Sequence, residues 1–378
     1  MPPARILLSV GDDSGDLHAA NLMRAMQDLE PGLEFIGFGM ERMVRAGLEP
    51  LDAAQDSVMW FGNLLRVGRF RRRLAMCRAA FARGEVDLFV PVDFGGFNLY
   101  VCRAAARAGV PVFYYIPPQV WAHGLYRLKK LRKWTDRVGL IYPFEADLYA
   151  THGVAAEYVG HPLFDAIERD PPSEEVVAGL RERFGGDLVG IFPGSRRHEV
   201  RAHVPLIAEC RRRVQREAEG ARFAMVCPPG LRAEVGELVG AAGADVAVLE
   251  DVRPVELARA ARVCLTKSGT ITLEIASQRT PMVIFYRTSP FFYFLAKGLT
   301  STPHIGLINV LADREICPER AMPRPDAGWL ATQVLRLLRD GEAREACRRD
   351  IEEALDGFAE PGASERAARS ALALIPTA

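Results

Sequence analysis

Apolar residues in this chain fall into short unbroken runs separated by longer amphipathic stretches. Residues 5–10 (RILLSV) form one such run, and 17–29 place apolar side chains at helical spacing behind it. The alternation continues, with strands predicted at 88–92, 112–115 and 138–141 and a helix over 98–108. Continuous rather than alternating runs predict strands covered on both faces, as in the parallel sheet of an α/β fold. A charged, proline-containing stretch at 168–175 interrupts the rhythm, which restarts with strands predicted at 189–192, 223–226, 246–249, 263–265 and 282–285. From 326 on the pattern is helical and ends in an alanine-rich stretch, 364–374. The pattern predicts two doubly wound Rossmann-like domains, 1–167 and 168–340, followed by a helical segment, 341–378, packing back on the first. Two such sheets facing a cleft would put their ligands at the carboxyl ends of the strands.

Composition narrows the function class. With 378 residues, 49% hydrophobic and 25% charged, both domains can bury a core. Forty-eight cations balance 48 acids, so no global field draws in nucleic acid, and any attraction to an anionic surface must be local. Seven scattered cysteines without a C-x-x-C pair argue against a structural zinc site and for reduced thiols. No secretory leader and no apolar run near 20 residues is present, so a cytoplasmic location is expected.

Four loops follow predicted strands and open predicted helices. GDDSGD at 11–16 lacks the dinucleotide spacing, and its carboxylates would repel a pyrophosphate; Asp12, Ser14, Gly15 and Asp16 suit sugar hydroxyls or a helix cap. VDFGGFN at 92–98 ends a strand in Asp93, a candidate general base, with Asn98 beyond it. FPGSRRHE at 192–199 offers Ser195 and Arg196 at a helix start, where N–H groups and a cationic fork can meet a departing diphosphate. KSGTITLE at 267–274 offers Ser268, Gly269 and Thr270 to phosphate oxygens and places Glu274 one turn further, within reach of ribose hydroxyls. No Asp-x-Asp at a strand end and no His/Cys cluster stands out, so neither metal nor cofactor is expected.

These loops, with PQVWAH at 118–123, YVGHP at 158–162 and IGLIN at 305–309, resemble in order and spacing the motifs of the lipid-A-disaccharide synthases, over roughly residues 5 to 372. The resemblance implies a GT-B glycosyltransferase that joins UDP-2,3-diacylglucosamine to 2,3-diacylglucosamine 1-phosphate with inversion, giving a β-1,6 disaccharide and UDP. It also implies Asp93 as base, Arg196 at the donor diphosphate, Asn309 as a site asparagine, Glu274 on the nucleotide side, and a homodimer. Related UDP-sugar enzymes and a non-catalytic sugar-nucleotide-binding paralogue are the alternatives. The chain departs from the family pattern at Asp12, Gly96, His123, Ile308 and Met322. Gly96 replaces an aspartate, so desolvation has to supply any rise in the Asp93 pKa.

Acylated substrates require a membrane surface. Trp60, Phe61, Leu64 and Leu65 run into Arg69, Arg71 and Arg72, and Lys129, Lys130, Arg132 and Lys133 form a second basic cluster. Interfacial aromatics beside cations suit anionic headgroups, so peripheral binding to the inner membrane is expected.

Overall fold

The computed structural model describes residues 3–52, 63–122, 124–227, 230–288 and 302–375. Trp60, Phe61 and His123 lie outside them, as do the side chains of Leu64 and Leu65. The chain divides into two compact units, Met1–Glu168 with Glu360–Ala378, and Arg169–Ala359.

The first unit carries strands β1 (Arg5–Ser9), β2 (Glu34–Phe38), β3 (Leu48–Pro50), β4 (Leu88–Pro91), β5 (Phe113–Tyr115), β6 (Arg137–Leu140) and β7 (Ala156–Tyr158). The pairing is parallel, in orders 3-2-1-4 and 5-6-7, and bridges Phe89–Val112 and Val92–Tyr115 join the two groups. The second unit carries β8 (Leu188–Phe192), β9 (Arg222–Val226), β10 (Ala247–Leu249), β11 (Val263–Lys267), β12 (Met282–Arg287) and β13 (Glu319–Met322), in the order 10-9-8-11-12-13. Both units therefore start with a central strand and reverse direction beside it, the doubly wound pattern. β2, β3, β7 and β13 had no clear run in the sequence: β3 and β7 are three residues each, with partly exposed positions.

The apolar runs do what their composition requires. β1 and β8 are almost wholly buried, and helices cover the sheets. In the first unit, helix Asp13–Leu29 packs against the terminal helix Ala363–Leu372, whose first N–H groups, from Gly362, Ala363 and Ser364, all donate to buried Asp165 at 2.7–3.0 Å. Helix Gly341–Leu355, expected to join it there, instead belongs to the second unit, where its Cys347, Ile351 and Leu355 are buried. Its sequence period fixed an apolar face but not which core would accept it.

Candidate active site

In each unit the strand order reverses between the first strand and the fourth, and the four loops singled out above leave those strands: β1 and β4 in one unit, β8 and β11 in the other.

In the first unit the loop after β1 is a built cap. Asp12 accepts the Gly15 N–H at 2.9 Å and starts helix Asp13–Leu29. Gly11 has to be glycine, since a Cβ there would lie 2.3 Å from the Phe94 ring of the loop after β4. That second loop is strained: Asp93 and Phe94 both adopt left-handed backbone, φ 49° and 50°, without being glycine. What holds them is the Asp93 carbonyl, which accepts from the Tyr114 hydroxyl at 2.7 Å and from Asn98 at 2.9 Å. Burial, reinforced by the nearby Asp12 charge, pushes the Asp93 carboxyl up to about 6. The like charge expected to be missing with Gly96 is thus supplied by the other loop, 81 positions earlier in sequence.

The imidazole of His18 meets the exposed Ser14 hydroxyl at 3.3 Å. Burial holds His18 at about 4, despite Asp12 and Asp165, and holds His161 at about 3, helped by His18. Both rings are neutral at pH 7. Glu145, buried at the turn after β6, accepts the Tyr142 N–H at 3.3 Å and a bond from Trp121; burial pushes it up to about 8. Sequence reasoning passed over it, although an acid opening a helix just past an apolar strand was the signal that marked Asp93.

In the second unit the centre is Glu199, buried in the first turn of helix Arg197–Glu217. One oxygen accepts the Ser195 and Arg196 N–H groups at 3.2 Å each, and the other accepts from Lys267 at 3.1 Å. Burial opposes this charge, but Lys267 and the backbone donors outweigh it and hold Glu199 below the usual carboxylate range. Gly194 makes the arrangement fit: its φ is 114°, and a Cβ would stand 2.5 Å from the Glu199 carboxylate. The amides expected to face a diphosphate are therefore engaged by the protein's own acid. The Arg196 side chain, 58% exposed and 4.0 Å from Glu199, stays outward. In the loop after β11, the Ser268 hydroxyl donates to the Ile305 carbonyl, tying two motifs together. Glu274 sits in helix Ile271–Ser277 and burial alone pushes it up to about 7. A desolvated carboxyl with no cation beside it among the described residues suits a hydroxyl-rich ligand.

Three expected site residues turn out to be internal clamps. Asn98 is fully buried; it accepts the Ser9 hydroxyl at 2.8 Å and donates to the Ser9 and Asp93 carbonyls, locking β1 to the loop after β4. Asn309 is also fully buried, accepting the Ile316 and Cys317 N–H groups and donating to the Cys317 carbonyl at 2.8–3.0 Å. Asp16, 1% exposed, accepts the Met40 and Arg42 N–H groups at 2.7 and 3.0 Å. Among the described residues no group of His, Cys, Asp and Glu side chains is arranged to hold a metal.

The sequence profile described as lipid-A-disaccharide synthetase matches residues 6–373. The lipid-A-disaccharide synthase of Geobacter sulfurreducens is 34% identical over 374 residues, spanning 98% of this chain and 97% of that protein. That of Myxococcus xanthus is 33% identical over 381 residues, 99% and 98% of the two. Among solved structures, the glycosyltransferase SnogD from Streptomyces nogalater superposes with a TM-score of 0.57 at 20% identity, covering 98% of this chain and 100% of its own. UDP-GlcNAc 2-epimerase from Neisseria meningitidis, bound to UDP-GlcNAc, gives 0.61 at 10% identity over 98% of each chain. The structural likeness shows the fold, two Rossmann-like domains of the GT-B class.

Proposed function

This chain belongs to the lipid-A-disaccharide synthetase family of glycosyltransferases, and we propose that it transfers the diacylglucosamine of UDP-2,3-diacylglucosamine to the 6-hydroxyl of 2,3-diacylglucosamine 1-phosphate, with inversion. The single observation that supports this best is Asp93: a carboxylate at a strand end, on fixed strained backbone, with its pKa raised to about 6. At neutral pH it is ionised yet basic enough to take a proton from a hydroxyl in the transition state. The acceptor oxygen forms its bond to the anomeric carbon while the bond from that carbon to the diphosphate breaks, and the proton passes to Asp93. The negative charge that develops on UDP is met by Arg196, which is exposed at the first strand end of the second unit. Glu274 takes hydroxyls on the nucleotide side, where its raised pKa lets it accept or donate. The chemistry needs no metal if Arg196 carries that charge, and the acyl chains place the enzyme at a membrane surface.

The test is direct. Incubation with both substrates in detergent should release UDP and form the β-1,6 disaccharide 1-phosphate in equal amounts, without loss on adding a chelator. UDP release without disaccharide, or a product epimerised at the sugar, would reject the assignment.

A further inference from the structure

Three helices of the first unit pack side by side: Asn63–Ala82 on Gly95–Ala108, and that on Tyr126–Trp134. They carry six, two and five cations respectively, and no acid, in a chain where cations and acids are equal in number. Solubility alone favours mixed charge on a surface, so this segregation calls for another cause. Of the five exposed large apolar side chains among the described residues, four stand on these helices or at their starts: Val67, Tyr100, Leu125 and Tyr126. Cations beside exposed aromatic and aliphatic groups make the composition of a surface that lies in a lipid interface.

Between the first two helices is a groove of about 500 Å³, lined by Arg78, Arg103 and Arg107 with Tyr100, Phe81 and Ala104. No acidic side chain pairs with these arginines among the described residues, and Arg103 lies over the Trp134 ring at 5.8 Å. Tyr100 is 62% exposed at its edge. Small and apolar groups leave the groove open, while three guanidinium forks present donors whose geometry matches phosphate oxygens. We propose that this groove holds the phosphate of an anionic phospholipid headgroup, with the three-helix face lying on the bilayer around it. Arg71, two turns before Arg78 on the same helix face, adds diffuse attraction; Arg72 turns to Asp52 at 3.8 Å, and Arg73 is buried against the Phe38 ring. The proposal rests on the membrane reading above and extends it from the segment 59–73 to a defined site on two helices.

The experiment separates a fork-shaped site from smeared charge. Cosedimentation of the full chain is measured with phosphatidylcholine vesicles and with vesicles containing about one-fifth phosphatidylglycerol, for wild type, Arg103→Lys with Arg107→Lys, and Arg71→Lys with Arg132→Lys. All three proteins carry the same charge. A site that uses planar forks predicts that the first pair weakens binding to the anionic vesicles about tenfold while the second stays within about twofold. Equal binding by all three would overturn the groove, and equal binding to neutral and anionic vesicles would overturn the face. Disaccharide formation in detergent, which needs no bilayer, should be the same for all three proteins, and absence of product from wild type would count against the proposed reaction and not against this site.

Discussion

In the first unit the loops beside the strand reversal carry Asp12 and Asp93; in the second, built on the same strand order, the corresponding loops carry Arg196, Lys267 and Glu199. Among the described residues no cation pairs with the acids of the first pair of loops, so burial and repulsion by Asp12 raise Asp93. The second closes its acid inside a net of donors and leaves one arginine facing outward. In the reaction proposed above, one backbone design supplies proton acceptance at one strand end and anion stabilisation at the other. Side-chain charge at four loops, not topology, makes the difference.

The largest expected effect comes from Asp93→Asn, which keeps size and left-handed tolerance but cannot take a proton: turnover, measured as UDP release, should fall about 10² to 10⁴-fold with substrate affinity little changed. Its stability should move the other way. The folded pKa of Asp93 is raised from 3.8 to about 6, so its contribution is present below pH 3.8 and is lost as pH rises through 6. The variant should be more stable than wild type at pH 8, by about 3 kcal/mol, and gain nothing comparable at pH 4. An unchanged difference across that window would remove burial as the cause.

On the cationic side Arg196→Ala should cost about 10² to 10³ in turnover, as for one lost oxyanion donor. Activity within threefold of wild type would leave the second unit's outward charge without a role. Asn309→Ala sharpens the division between site and scaffold: three buried bonds are lost, so stability should drop by about 2–3 kcal/mol, while turnover per folded molecule at low temperature stays near normal. A thermally normal variant that is inactive would return Asn309 to the chemistry. The smallest effect is electrostatic. Asp12→Asn keeps the cap on Gly15 but removes the like charge, so the acidic limb of the pH–rate profile should move down, by less than the part that burial supplies. Collapse of turnover instead would make Asp12 the base.

Strand ends followed by glycine and a polar residue are local signals, and the four loops they marked do leave the strands on either side of each reversal, because a parallel strand entering a helix needs a tight turn and a cap within a few residues. The same text could not distinguish a ligand-binding asparagine from a clamp. Asn98 meets Ser9 across 89 positions, and Asp16 meets Met40 across 24. The short edge strands β3 and β7 were illegible for a related reason, being too brief to show a pattern and held by neighbours rather than by their own composition.

The sequence by itself determined two α/β units, their strand-end loops, and a family resemblance spread over nearly the whole length. Only the tertiary structure decided which polar groups remain available. Asp12 reaches Asp93 and Lys267 reaches Glu199 because parallel pairing sets β1 beside β4 and β8 beside β11. A charge's effect depends on burial and on neighbours within a few ångströms, and those neighbours are assembled by strand order, not by proximity along the chain.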